Sequence, residues 1–250
     1  MTNDDPRRAR ARALRLHGLL EHWDEAAAAG WIDPLLGWEE TERGRRSLER
    51  RLHDAHIGRF KPLCDFDWTW PKSCDRAAID ALMNLDFIKE TANAVIVGPN
   101  GVGKSTIARN IAHQAVVQGY TVLFAQAGQL LGDLTALDSD TALRRRLRHY
   151  ATPKLLCIDE VGYLSYSNRH ADLLFELISR RYENTSTMIT TNRPFADWRE
   201  VFPNAACVVS LIDRLVHNAE VVPIDGDSYR LKEAQERTAQ RARQRRPQKT

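Results

Sequence analysis

The sequence predicts an α/β fold, a parallel sheet flanked by helices, with a small helical domain ahead of it. Three observations carry that expectation. A glycine-rich run, Gly98-Pro99-Asn100-Gly101-Val102-Gly103-Lys104-Ser105, stands between a strand-like and a helix-like segment. Strand-like and helix-like segments then alternate as far as residue 224, the pattern of a parallel sheet with helical crossovers. A second apolar run, Leu155-Leu156-Cys157-Ile158, ends in the adjacent carboxylates Asp159 and Glu160, as a buried strand does when it delivers acids to its ligand-binding edge.

The elements follow in order. Ala9, Ala13, Leu16, Leu20 and Trp23 recur at helical spacing and predict one helix with a single apolar stripe. Arg8, Arg12 and Arg15 fall on another stripe of it. A second helix is expected from about Trp38 to His56, with Leu48, Leu52 and Ala55 inward and Arg43, Arg46 and Arg50 sharing a face. Cys64 to Ser73, with its aromatics and Pro71, reads as an irregular linker. A helix from Arg76 to Glu90, with Ile79, Leu82, Met83 and Phe87 inward, leads into a strand at 93–97. The helix after the glycine-rich run is expected over 106–118, on Ile107, Ile111, Ala115 and Val116. Further strands are expected at 121–125, 154–158, 187–191 and 219–224. Beyond Arg230 the basic residues Arg237, Arg241, Arg243, Arg245, Arg246 and Lys249 have little apolar company, and 235–250 reads as a frayed or disordered tail. The expected organisation is a helical, basic domain with linker over 1–70, an α/β domain over 71–234, and the tail.

The glycine-rich run fits G-x-x-x-x-G-K-[ST], the phosphate-cradling P-loop. Glycines let the backbone turn its N–H groups inward around an anion, and the following helix offers its positive end to the same charge. Gly98, Pro99, Asn100, Gly101, Val102, Gly103, Lys104, Ser105 and Thr106 are therefore the expected triphosphate cradle. Lys104 suits the β- and γ-phosphates, and Ser105 suits Mg²⁺. Asp159 suits the Mg²⁺ shell, and Glu160 suits the base that polarises an attacking water. A Glu directly after the Asp separates the chain from small GTPases and nucleotide kinases and favours an ATPase. Asn192, at the end of the β-branched run Thr187-Met188-Ile189-Thr190-Thr191, either orients that water or serves as a turn residue before Arg193-Pro194; local sequence leaves both readings open.

Composition narrows the rest. The net charge is +3, from 36 Lys and Arg against 33 Asp and Glu, so any affinity for polyanions has to come from local clusters. Three stand out: Arg7 to Arg15, Arg43 to Arg51, and Arg144-Arg145-Arg146 with Arg148. Each fits either duplex DNA or a solvated face, and Glu39, Glu40, Glu42 and Glu49 favour the solvated reading for the second. With no zinc-ligand pattern and no RNA-recognition signature, DNA contact is expected to be backbone-directed. The four cysteines form no C-x-x-C pair and read as reduced thiols, Cys157 as core packing. No apolar stretch is long enough to span a membrane, and the N-terminus lacks a secretory apolar region. A cytoplasmic protein is expected.

From Leu14-Arg15-Leu16-His17-Gly18-Leu19 to Ser228-Tyr229-Arg230 the chain resembles the IstB-like ATP-binding proteins of bacterial insertion sequences, relatives of the helicase loader DnaC. The most specific stretches are 158–164, 173–183, 191–198, Ile212-Asp213-Arg214-Leu215 and Gly226-Asp227-Ser228-Tyr229-Arg230. The resemblance implies an AAA+ core, with an extra strand between the P-loop strand and the acidic strand. It further implies ATP-dependent self-assembly on duplex DNA and a partner transposase whose target the helper selects or prepares. It makes Asn192 the sensor 1 residue and Arg214 the arginine finger offered to a neighbouring subunit, with Arg180 and Arg181 as rivals for interface roles. The P-loop ends Ser-Thr where the family more often has Thr then His, and either hydroxyl serves Mg²⁺. Some twenty residues follow the last strand, too few for the helical lid of many AAA+ proteins, so no sensor 2 arginine is assigned, although Arg230 lies nearby. Two other readings stay open: a DnaC-type helicase loader, and a DNA-coating scaffold that binds ATP but scarcely hydrolyses it.

Overall fold

The computed structural model describes residues 5–163, 166–202 and 205–245; Leu164 of the resemblance, and Arg246 and Lys249 of the basic tail, lie outside them. The chain forms two compact units that divide between His53 and Asp54, inside the 1–70 stretch expected to hold a domain and its linker. The reason is local. Residues just beyond the division already bond to the α/β core, where Ala55 O accepts the Phe124 N–H at 2.8 Å.

In the first unit, α1 spans Pro6–Ala13. The Asp5 side chain caps it by accepting Arg7 N–H at 3.0 Å, with Pro6 opening the helix. The single long helix expected here does not form. Arg15 takes a left-handed φ of 53°, and the chain turns into α2 (His17–Glu21) and α3 (Trp23–Ala26) before α4 (Ile32–Asp54). The inward set changes accordingly. Ala9 and Ala13 are exposed, while Ala11, Leu14, Trp23, Ala26, Ile32 and Leu36 form the small core. α4 starts at Ile32 rather than Trp38. Of its expected inward residues, Leu48 is half-buried and Leu52 exposed.

The second unit holds a six-stranded sheet in the order β1-β6-β2-β5-β4-β3. β1 is Ser73–Cys74, β2 Asn93–Val97, β3 Val122–Gln126, β4 Leu155–Val161, β5 Ser186–Thr191 and β6 Ala219–Asp225. β2 to β6 are mutually parallel, and only β1 runs antiparallel, against β6. The extra strand implied by the resemblance is β5, seated between β2 and β4. β1 went unread because two residues carry no periodicity. α5 (Arg76–Met83) and α6 (Asp86–Lys89) replace the one helix expected over 76–90. Leu85, at φ 66°, breaks it, and the break lets Leu85, Phe87 and Ile88 all become buried.

α7 (Lys104–Val117) buries Ile107, Ile111, Ala115 and Val116, the stripe read from the sequence. α8 (Ala127–Thr135), α9 (Asp140–Ala151), α10 (Asn168–Arg181), α11 (Trp198–Val201) and α12 (Ala205–Val216) gather side chains with Leu123, Leu156, Ile158 and Ile189 in one cluster. Strand alternation turns Leu155 and Cys157 to the other face; both are buried. α13 (Tyr229–Arg245) is helical through most of the segment expected to be a frayed tail, although residues 235–241 are exposed.

Arg181, a candidate for an interface role, belongs to the core. It is 1% exposed. Its guanidinium donates to the carbonyls of Tyr150, Ala151, Pro153 and Ser186 and to Thr187 Oγ1. Burial pushes its pKa down, and these five acceptors hold the charge. Arg180, by contrast, is exposed and pairs with Glu176 one turn back at 2.6 Å.

Candidate nucleotide site

The P-loop joins β2 to α7, and each of three glycines has a spatial reason. A Cβ on Gly98 would lie 1.9 Å from Ile224 O, and one on Gly101 2.2 Å from Ser228 Oγ. On Gly103, at φ +104°, a Cβ would lie 2.4 Å from the Phe66 ring. The backbone therefore comes as close to its neighbours as only glycine allows, and it opens a concave rim.

Behind that rim lies a cavity of about 500 Å³. Asn100 to Thr106, Glu160, Tyr163 and Asn192 line one side of it. Also lining it are Phe60, Phe66 and Trp70, in or beside the segment read as a linker, and Tyr229, Arg230 and Glu233, at the end of the expected α/β domain. The linker is pinned to α7 by Asn110, whose Oδ1 accepts Leu63 N–H at 2.9 Å and whose Nδ2 donates to Lys61 O and Thr106 O. It is pinned to α13 by Lys61–Glu233 at 2.7 Å and Lys232–Asp67 at 3.2 Å, with Lys232 Nζ 4.3 Å above the Trp70 ring. The signals in the sequence were the density of aromatics between 60 and 70 and the stretch Gly226-Asp227-Ser228-Tyr229-Arg230.

Lys104 is buried, and its Nζ donates to Gly98 O and Pro99 O, both at 2.7 Å. Burial pushes its pKa down, against the attraction of Asp159 and Glu160. A polyanion in the cavity offsets that cost, because it supplies the opposite charge where solvent is excluded. Ser105 Oγ donates to Asp159 Oδ1 at 2.9 Å, so two hard oxygen ligands stand together beside the cradle, a donor set that suits Mg²⁺.

Asp159 is buried on β4, and Glu160 beside it is exposed toward the cavity. The two neighbours diverge because the β4–β5 register shifts between Ile158 and Val161 and Glu160 takes a left-handed φ of 64°. A bulge of this kind re-aims a side chain at a strand end. Asn192 lines the same cavity, and among the described residues its buried Oδ1 has no hydrogen-bond partner. A buried acceptor left unpaired is costly; a water or phosphate in the cavity would satisfy it.

Arg214 is not among the residues lining its own chain's cavity. It sits on α12, half-buried, with its guanidinium 4.5 Å over the Phe175 ring and donating to Ser179 Oγ.

The three arginine clusters separate by their partners. On α4, Arg43 pairs with Glu39, Arg45 with Glu42 and Glu49, and Arg46 with Glu42, while Arg50 is exposed. Glu42 is held at about 2 by hydrogen bonds from Arg45 and Arg46. On α1, Arg7 pairs with Asp5 and Arg10 with Glu40; Arg8 is half-buried, and Arg12 and Arg15 are exposed. On α9, Arg144, Arg145, Arg146 and Arg148 are all exposed. None of these four forms an ion pair among the described residues. Among those residues, no helix is long and apolar enough to cross a membrane.

A family described as IstB-like ATP binding protein matches residues 9–237. The chain is 36% identical over 198 residues to the ATP-binding protein of insertion sequence IS21 from Pseudomonas aeruginosa, covering 79% of this chain and 75% of that one. Among solved structures it resembles DnaI, with a TM-score of 0.58 at 19% identity over 67% of this chain and 92% of that one. It also resembles the DnaC helicase loader, with a TM-score of 0.52 at 20% identity over 70% and 99%. At these identities the structural likeness speaks to the AAA+ fold.

Proposed function

The chain belongs to the IstB-like ATP-binding proteins of insertion sequences, and from that premise we propose that it is a Mg²⁺-dependent ATPase that assembles on duplex DNA with ATP and serves a transposase. One observation carries the catalytic half: the glycine cradle, the bulge-aimed Glu160 and the unpaired Asn192 Oδ1 all converge on one cavity.

The triphosphate lies along the backbone N–H groups of Asn100 to Thr106, with Lys104 turning from the carbonyls of Gly98 and Pro99 to the β- and γ-phosphates. The base lies toward Phe60, Phe66, Trp70 and Tyr229. Ser105 and Asp159 hold Mg²⁺, which supplies charge neutralisation on the phosphate oxygens when bound. Asn192 orients a water in line with the γ-phosphorus, and Glu160 accepts its proton. The new P–O bond forms as the bond to the ADP oxygen breaks, giving ADP and phosphate. Arg214 of a neighbouring subunit leaves its berth on Phe175 and Ser179 to stabilise the charge that develops.

For the DNA, the α9 face is favoured over α4, whose arginines are largely matched by glutamates. Unpaired guanidinium groups neutralise phosphates without first breaking an ion pair. The α1 arginines remain a second, smaller set.

The deciding experiment is Glu160→Gln, sized on duplex DNA with ATP, with ADP and without nucleotide. Hydrolysis falls on the order of 10²–10⁴-fold, and large ATP-dependent complexes on duplex DNA persist. A variant that forms no such complexes refutes the reading, and loading on single strands or only with a helicase moves the assignment to a helicase loader.

A further inference from the structure

We propose that the Thr190 hydroxyl is the positioning group that holds Glu160 toward the cavity and ties it to the Ser105–Asp159 pair, an inference that rests on the ATPase reading above. Thr190 lies on β5, two residues before Asn192, and is 1% exposed. Its Oγ1 donates to Asp159 Oδ1 and accepts the Glu160 N–H at 2.9 Å. Asp159 Oδ1 also accepts the Ser105 hydroxyl.

The direction of these bonds is set by chemistry. An ionised carboxylate only accepts, so the one proton of the Thr190 hydroxyl goes to Asp159. The lone pairs that remain face Glu160, whose backbone can only donate there. A hydroxyl meets both demands from one atom, as the Thr190 Oγ1 does here.

The need for an acceptor arises from the bulge. In register, Ile158 faces Ile189, and pairing then resumes at Val161 opposite Thr191. Glu160 falls in the skipped stretch, in a left-handed conformation disfavoured for any residue with a Cβ. The hydroxyl replaces the backbone partner that the ladder no longer offers. It fixes the φ that separates a buried Asp159 from a cavity-facing Glu160. The same oxygen of Asp159 answers to both Ser105 and Thr190, so the cradle and the base share one anchor.

The test compares Thr190→Val, which keeps shape and loses the hydroxyl, with Thr190→Ser, which keeps it. In the valine variant kcat falls about 10- to 100-fold, the scale of a small misplacement of a reacting group. KM for ATP and the affinity for a fluorescent ATP analogue stay within about twofold of the parent. The serine variant keeps most of the parent kcat. In a Glu160→Gln background the valine change adds no further loss, because the group it positions has already been replaced.

A second readout needs no turnover. Hydrogen exchange followed by mass spectrometry shows the Glu160 amide protected in the parent and in the serine variant, and exchanging about tenfold faster or more in the valine variant. The proposal is overturned by an unprotected Glu160 amide in the parent, or by a folded valine variant with parental kcat and protection. A parent that shows the predicted amide protection but no Lys104-dependent hydrolysis overturns the ATPase reading, and with it the catalytic purpose of the anchor.

Discussion

Replacing Arg181 by alanine removes the donor from four carbonyls and one hydroxyl in a site that is 1% exposed. Each neutral acceptor left without its donor costs about 1 kcal/mol. Water entering the space offsets the cavity term and satisfies about one of the five acceptors, so a total of ~4 kcal/mol is expected. For a unit of this size 1 kcal/mol moves the melting point by about 2–4 °C, which gives a drop of about 12 °C. Arg180→Ala is the control. Arg180 is exposed and holds one pair within its own helix, worth about 0.5 kcal/mol at most and hence about 2 °C. Arg181→Lys keeps a charge but not the planar fork and recovers little. The assay is thermal unfolding by circular dichroism at fixed pH and salt. An Arg181→Ala variant that melts within about 2 °C of the parent, or an Arg180→Ala variant that loses as much, would refute the assignment of Arg181 to the core. A normal melt with lost assembly would return it to the interface.

Three further outcomes are expected. Gly103→Ala weakens binding of a fluorescent ATP analogue by tenfold or more, roughly, and Phe66→Ala in the same chain recovers only part, because the φ of +104° remains unsuitable for alanine. Asn110→Ala removes the bonds that tie Lys61 and Leu63 to α7 while Arg109 still holds Arg59, so limited proteolysis cuts the 59–71 segment faster while the melting point of the rest moves little. Glu42 is an acid whose pKa is depressed from 4.5 to about 2; its stabilising contribution is complete above about 4.5 and is lost as pH falls through about 2. Glu42→Gln therefore flattens that stretch of the acid unfolding curve, and high salt has the same effect in the parent.

Much of the site was legible because its residues are close in sequence. The P-loop, Asp159 and Glu160 each sit at a strand end, where a short motif and its flanks declare the geometry together. The five parallel strands were legible as short runs rich in apolar and β-branched residues. What sequence hid was distant in the chain or lacked a period. The wall formed by Phe60, Phe66 and Trp70 is irregular backbone, and its place depends on Asn110 and α13. Arg15 and Leu85 take left-handed conformations that nothing in their side chains announces, so two broken segments were each read as one continuous helix. Arg181 looked like its neighbour Arg180, since an arginine inside a core is an exception to the rule that charges stay in water. Thr190 was visible only as a β-branched strand residue. Its hydroxyl gains meaning from a bulge in the strand beside it.

The two ends of the sheet bear on how copies of this chain can join. One end is the two-residue strand Ser73–Cys74, too short to template another strand. At the other, the Phe124 N–H of β3 is already taken by Ala55 O. A long bare margin would invite copies to zip together through their backbones, in contacts indifferent to nucleotide and slow to undo. With one margin this short and the other bonded at Phe124, copies that assemble as proposed would meet mainly through side chains, in contacts that can be made and broken within a cycle of ATP binding and release.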